Sequence, residues 1–378
     1  MPTRTFRLLG LLVLASLLFG PPASAQPGGE PAAMRLVPPV ALSDEPFSGV
    51  THVVELSRDR LLVADEKENR LALVDLASGA VRTLGRVGSG PREYRAIGPL
   101  FARPGGGAYL SDFVQRRLLP IRDDGTFENP IAVPGSILLR DVDPLGVLYG
   151  EMFLPRERLQ RSDSMFIVRW KPGEGTIDTL MQYDAGVTRW VIPAGAPRPV
   201  NPPVDTWAVL PAGDILVLDA RAYRAVVFRD GRAVRSAAIP WQPVRVTAAE
   251  REAYLRAAAA APQRRIGAGG GAPAAMPAPT YEFPEAYPPF GGAGLGGRYA
   301  LRSPRGHVWI ERLRAANDST PRYDVLDAAS GAFLGAISLT PRSRLVGFGR
   351  EDGVYTVVRD DDDIQRIRRH PYPSLTSR

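Results

Sequence analysis

One short pattern recurs along this chain and limits its possible folds more than any other feature. An apolar run ends in an acidic residue, a tight polar turn follows, and an arginine opens a second apolar run. It occurs at 60–84 (RLLVADEKENRLALVDLASGAVRTL), 107–133, 214–239 and 353–370. The acid and the arginine lie five residues apart as Asp65/Arg70, Asp112/Arg117, Asp219/Arg224 and Asp361/Arg366. In the first three stretches a glycine turn comes next (Ser78-Gly79, Asp124-Gly125, Asp230-Gly231) and leads into a further strand. Short strands at even spacing, separated by turn signals, indicate an all-β fold and not βαβ units.

Upstream of each unit lies another minimal turn behind an apolar strand. These six turns are at 57–59, 104–106, 144–146, 211–213, 304–306 and 350–352. Pro and Gly recur in them because Pro presets one turn torsion and Gly accepts the positive one. The third and fifth units lack the tight central turn but keep an acid, Glu151 and Glu311, at the end of their second strand. Longer connections then lead to 165–170 (MFIVRW) and 322–327 (RYDVLD). Six four-stranded meanders set radially make a six-bladed β-propeller, an architecture that protects sheet edges. A jelly roll or a two-sheet sandwich does not require the recurring acid-to-arginine spacing. The last unit runs out of sequence after its third strand, near Arg369. The orphan apolar stretch Met34 to Leu42 is expected to supply the missing outer strand and close the ring. Pro38 and Pro39 suit an edge strand, where a missing N–H costs little.

The first residues read as a secretory signal peptide. Arg4 and Arg7 precede the apolar run Leu8 to Phe19, and Ala23-Ser24-Ala25 is a small-residue cleavage site. That run is too short for a comfortable bilayer span. The expected organisation is a signal peptide over 1–25, a linker over 26–33, the propeller over 34–370 and a tail over 371–378. The chain has no cysteine, which excludes disulfides and a lipidated cysteine, so stability must come from a large core. The net charge of +7 falls to +5 without Arg4 and Arg7, and only Lys67 and Lys171 are lysines. The arginines are scattered, whereas a nucleic-acid site needs a clustered basic patch. The expectation is a periplasmic or extracellular monomer that binds no nucleic acid and is not embedded in a membrane.

The run from Gly85 to Tyr94 (GRVGSGPREY) resembles the G-x-x-G-x-G-P-G-E-F signature of NHL-type repeats in secreted bacterial six-bladed propellers. Val63-Ala64-Asp65 with Asn69-Arg70 resembles the V-x-D-x-x-N-x-R core of the same repeat. Arg92 stands where that signature usually has Gly, and Tyr94 where it has Phe. The resemblance implies a fold of the NHL and TolB-like superfamily over roughly residues 34 to 370 and leaves activity open. That superfamily includes binding modules, lactonases and lyases. Read on its own, the glycine-rich run is no dinucleotide fingerprint, because no helix follows it. It reads as a tight crossing between blades, with Tyr94 packed beneath.

In a meander, the first-to-second and third-to-fourth turns share one face. All of these are short, so the long segments 152–163, 184–204, 241–297 and 312–321 fall on the other face, where function is expected. The largest insert opens with a capping box, Thr247 to Glu250, that predicts a helix through Ala261. A Gly/Ala/Pro segment over 262–280 follows, and then the aromatics Tyr281, Phe283, Tyr287 and Phe290. These read either as a lid lining a channel mouth or as side chains that merely plug the propeller. The acids Asp65, Asp112, Glu151, Asp219, Glu311 and Asp361 end second strands toward the same face. They either ring the channel mouth and hold a cation such as calcium, or pair with their own arginines and cap turns. The run Asp360 to Asp363 lacks the spacing of a calcium loop and reads as a solvated hairpin tip. His52, His307 and His370 share no short spacing, which argues against a zinc site, and no nucleophile elbow occurs. No cofactor is expected. The leading function is a binding or scaffold propeller for a small molecule, glycan or protein, with a cation-dependent lactonase-type hydrolase or lyase as the alternative.

Overall fold

The computed structural model describes residues 32–135, 137–153, 164–186, 195–260, 279–291, 300–350 and 352–375. Five four-stranded antiparallel meanders and a sixth of three strands, completed from the N-terminal side, follow one another and form a six-bladed propeller. Blade one comprises Val50–Ser57, Arg60–Asp65, Arg70–Asp75 and Val81–Leu84, inner strand first. Blade two comprises Leu100–Ala102, Ala108–Asp112, Arg117–Ile121 and Ile131–Ala132. Blade three comprises Leu138–Val142, Leu148–Phe153, Ser164–Trp170 and Asp178–Asp184. Blade four comprises Thr206–Val209, Ile215–Asp219, Arg224–Arg229 and Arg232–Arg235. Blade five comprises Ala300–Arg302, His307–Glu311, Arg322–Asp327 and Phe333–Ser338. Blade six comprises Ser343–Phe348, Gly353–Arg359 and Gln365–Pro371. First strands of successive blades lie against each other from blade six through blade one to blade five, which sets them around the axis.

The core is divided among the seams between blades. Six apolar clusters each draw side chains from two neighbours: one with two, two with three, three with four, four with five, five with six, and six with one. Second strands such as Arg60–Asp65, whose residues 61–65 are all buried, are apolar without alternation because both of their faces meet a neighbouring blade. No seam contains a disulfide. Burial of apolar area in every seam holds the ring.

The N-terminal stretch closes the ring, but in two pieces. Ala41–Leu42 pairs antiparallel with the third strand of blade six, through Arg369 and Arg368, and supplies its fourth strand as expected. Met34–Arg35 instead runs parallel to the outer strand of blade five, through Ile337 and Ser338. Pro38 and Pro39 lie in the link between these strands, so neither needs to donate to a ladder. His370 fastens that link: its Nδ1 is 2.7 Å from the carbonyl of Val37, and its Nε2 is 2.9 Å from the Thr356 hydroxyl.

The glycine-rich crossing is a compact loop in which Arg86–Val87 pairs parallel with Glu93–Tyr94. A Cβ on Gly88 would sit 2.1 Å from the Glu93 carboxylate, which explains the glycine there. Tyr94 is buried beneath the crossing; its hydroxyl accepts from Leu71 N at 3.2 Å and donates to the carbonyl of Leu84 at 3.3 Å. The one helix among the described residues, α1, spans Ala248–Ala260, and Thr247 caps it by accepting from Glu250 N at 3.2 Å. Half of the expected capping box is missing. The Glu250 carboxylate accepts from Ala316 N, at 3.0 Å to each oxygen, and so ties the insert to blade five. No described helix is long and apolar enough to cross a membrane.

Candidate functional site

Asp65, Asp112 and Asp219 are held by the turns and crossings of their own blades. Asp65 accepts from Ser48 N at 2.8 Å and Glu68 N at 3.2 Å. Asp112 accepts from Arg95 N at 3.0 Å and Gln115 N at 3.3 Å, with Arg117 Nε 3.6 Å away. Asp219 accepts from Arg221 N at 2.9 Å and Ala222 N at 2.8 Å. Each is the register partner of the arginine that follows it. The five-residue spacing therefore marks a hairpin whose last turn residue has positive φ: 48° at Asn69, 49° at Arg116 and 41° at Tyr223. The ion pair itself is optional. Arg70 turns instead to Glu45, 2.7 Å away, and stacks over Phe47.

Asp361 is not brought to the others. It lies inside the last hairpin turn with its side chain 99% exposed, paired with Arg342. Arg359 ends the second strand of blade six, and Asp360 caps the turn by accepting from Asp362 N at 3.1 Å and Ile364 N at 2.9 Å. The spacing to Arg366 coincides with the pattern without its register.

In blades three and five, which lack the tight turn, the acids find tyrosines. Glu151 is buried and ion-paired with Arg140 Nη2 at 2.6 Å. It also accepts from the Tyr183 hydroxyl and from Trp207 Nε1 at 2.9 Å. Burial, and then the Glu151 charge, push the Tyr183 phenol well above its ordinary range. Glu311 accepts from the Tyr323 hydroxyl at 3.2 Å. A neighbouring acid that sequence reasoning passed over, Asp324, is fully buried between Arg312 Nη1 at 2.8 Å and the Tyr223 hydroxyl at 2.5 Å. Among the described residues, no three His, Asp or Glu side chains are grouped to hold a metal ion.

The four aromatics of the insert separate into two roles. Phe290 is fully buried in the seam of blades four and five, with its ring centroid 5.9 Å from that of Tyr223. Tyr281 and Phe283 each meet Tyr254 of α1 edge-on at 5.5 Å. Tyr287 is buried in the same satellite cluster, with Val200 and Val246. These contacts dock α1 onto the ring. Residues 262–278 of the Gly/Ala/Pro segment lie outside the described residues, as do residues 1–25, expected from the sequence to form a signal peptide.

A polar cavity lies in the channel wall, lined entirely by inner-strand residues of blades three, four and five. It measures about 40 Å³, enough for a few waters, each of which needs about 10–15 Å³ on this scale. Arg140 and Asp141 come from blade three, Thr206 and Trp207 from blade four, and Arg302 from blade five. Arg302 reaches past blade four and donates to the carbonyl of Val142 in blade three at 2.9 Å. Behind the wall, Glu151 neutralises Arg140 and holds the Trp207 ring through its N–H. Thr206 and Trp207 start their strand at the long-loop end, and Arg302 ends its strand at the other. None of these residues was singled out from the sequence. Their signals are the polar pair Arg140-Asp141 interrupting LLRDV (138–142) and the lone Thr206 that opens TWAV (206–209).

No protein-family model and no curated protein matches this chain. Solved structures with a similar course do exist. A Bacteroides fragilis protein described as exported is 13% identical, with TM-score 0.48, covering 90% of this chain and 95% of its own. Regucalcin from Agrobacterium tumefaciens, a calcium-binding protein, is 12% identical, with TM-score 0.44, covering 92% and 99%. Virginiamycin B lyase from Staphylococcus aureus is 10% identical, with TM-score 0.42, covering 89% and 99%.

Proposed function

We propose that this chain is an exported binding propeller that takes a small polar ligand into its channel from the long-loop face. The observation that carries the reading is the convergence of Arg140, Asp141, Thr206 and Arg302 on one cavity, against an indole held in place by Glu151. At about 40 Å³ the cavity is far smaller than a whole small-molecule site, so it would receive one polar group of a ligand that lies along the channel. Asp219 and Glu311, half-exposed at the long-loop face, and Tyr281 and Phe283 of the insert would form the approach. The described acids that end second strands already accept bonds from backbone or tyrosine donors, which favours binding over cation-dependent hydrolysis.

The test is a thermal-shift panel of sugars, amino acids and short acids, followed by titration calorimetry of the hits. Replacing Arg302 by Met and Thr206 by Val should weaken the best hit by about tenfold, equivalent to about 1.4 kcal/mol. A hit that binds both variants as well as the parent places the site elsewhere. A panel without any shift counts against a small ligand.

A further inference from the structure

A second concavity, remote from the channel, lies at the outer rim between blades one and two. One wall is the outermost strand of blade one, Val81–Leu84, continued by Gly85 and Arg92 of the crossing. The other is the third-to-fourth turn of blade two, Gly125 to Phe127, and the groove holds about 280 Å³. That is close to the lower end, about 300 Å³, of small-ligand sites.

Two guanidinium groups line this groove and no carboxylate does. Arg82 lies across Gly125, where a Cβ would come within 2.9 Å of Nη2 and 3.2 Å of the Leu84 methyls. Its Nη2 donates to the carbonyl of Asp124 at 2.9 Å, so the turn fixes the guanidinium in place. Arg92 is exposed farther along the same wall, in the crossing. Neither arginine has a carboxylate partner among the described residues. The nearest acids point elsewhere: Glu93 accepts from Arg86 Nε at 2.6 Å and Gly90 N at 2.8 Å. Asp124 accepts from Thr126 N at 2.8 Å. Leu84, buried, and Phe127, half-buried, make an apolar floor, and Thr126 stands exposed at its edge.

We propose that this groove is a binding site for an acidic sugar chain, a glycan carrying carboxylates. Planar guanidinium forks suit carboxylates because they bind them through paired N–H donors. The apolar floor matches the C–H face of a pyranose ring, and Thr126 at its edge can meet one of the ring's alcohols. An outermost strand at the rim leaves room for a chain to continue in both directions. The reading is independent of the channel site.

The experiment is calorimetric titration at low salt with trigalacturonate, with maltotriose as the neutral trimer and inorganic phosphate as the bare anion. Trigalacturonate is expected to bind, and maltotriose is not. The Arg82→Ala/Arg92→Ala pair should weaken binding by at least about tenfold with an unchanged melting temperature, since both side chains are exposed. Arg302→Met should bind the trimer as the parent does. No binding by the parent protein overturns the proposal, as does binding that survives the double arginine variant. Phosphate that competes as well as the trimer reduces the site to an unspecific anion cradle and overturns the sugar assignment.

Discussion

Glu151, buried, and Asp205, half-buried, are two carboxyls of this ring with opposite fates. Glu151 has a guanidinium at 2.6 Å and two further donors, so its charge is matched where it sits. Asp205, at the seam of blades three and four, has one backbone donor, Ala220 N at 2.9 Å. Burial, helped by the like charges of Asp219 and Asp184, pushes its carboxyl from 3.8 up to about 7, against the opposing Ala220 hydrogen bond and a weaker pull from Arg221. A carboxyl raised in the folded state holds its proton more tightly there than in the unfolded chain. The stability it contributes is therefore complete below about pH 4 and is lost as pH rises through about 7. Asp205→Asn keeps the acceptor for Ala220 and removes the ionisation. Its stability relative to the parent should climb between about pH 5 and about pH 8, by on the order of 2 kcal/mol. Urea denaturation at a series of pH values measures this, and a difference that stays flat with pH would contradict the assignment.

At the scale of elements, the hairpins were the legible part of the chain. Asp65, Asp112 and Asp219 announce the second-to-third turns because the cap and the arginine belong to one local loop. Asp361 misleads for the same reason: spacing alone does not report register, and the strand end there is Arg359. The start of α1 was readable from Thr247, but the destination of Glu250 was not, since its partner Ala316 lies 66 residues on. The channel residues stayed hidden because Arg140, Thr206 and Arg302 meet only once three blades are set around the axis. Ring closure was half legible, through the orphan stretch and the missing fourth strand. The structure adds that the stretch binds two blades, and this has a consequence. A chain starting at Ser43 would lose the outer strand of blade six, the parallel strand on blade five and the acceptor that Val37 offers His370. Its melting temperature should fall by several degrees, since about 1 kcal/mol shifts a domain of this size by roughly 2–4 °C, and early proteolysis should fall near 365–371. An unchanged melting temperature would mean that the seam between blades six and one closes the ring unaided.

For the whole molecule, the choice between binding and cation-dependent catalysis turns on how the ring is stabilised. Each of the six seams has its own apolar cluster, so closure follows from burial distributed around the axis. The acids at the long-loop face are part of that same scaffold. Asp65 and Asp112 fix crossings into their blades through Ser48 and Arg95, and Glu151 and Asp324 each tie two blades through Trp207 and Tyr223. A cation drawn into this face would compete with the backbone, guanidinium and phenol donors that these carboxylates already accept, and leaving such a buried partner unmatched costs about 1–3 kcal/mol. Exhaustive chelation should therefore leave the melting temperature where it was, and added calcium should not raise it. Ligand binding to the native state stabilises by mass action, so a structural cation would show itself as a drop on chelation that calcium restores. That outcome would return the long-loop acids to the centre of the function and favour the lactonase-type reading over the binding one.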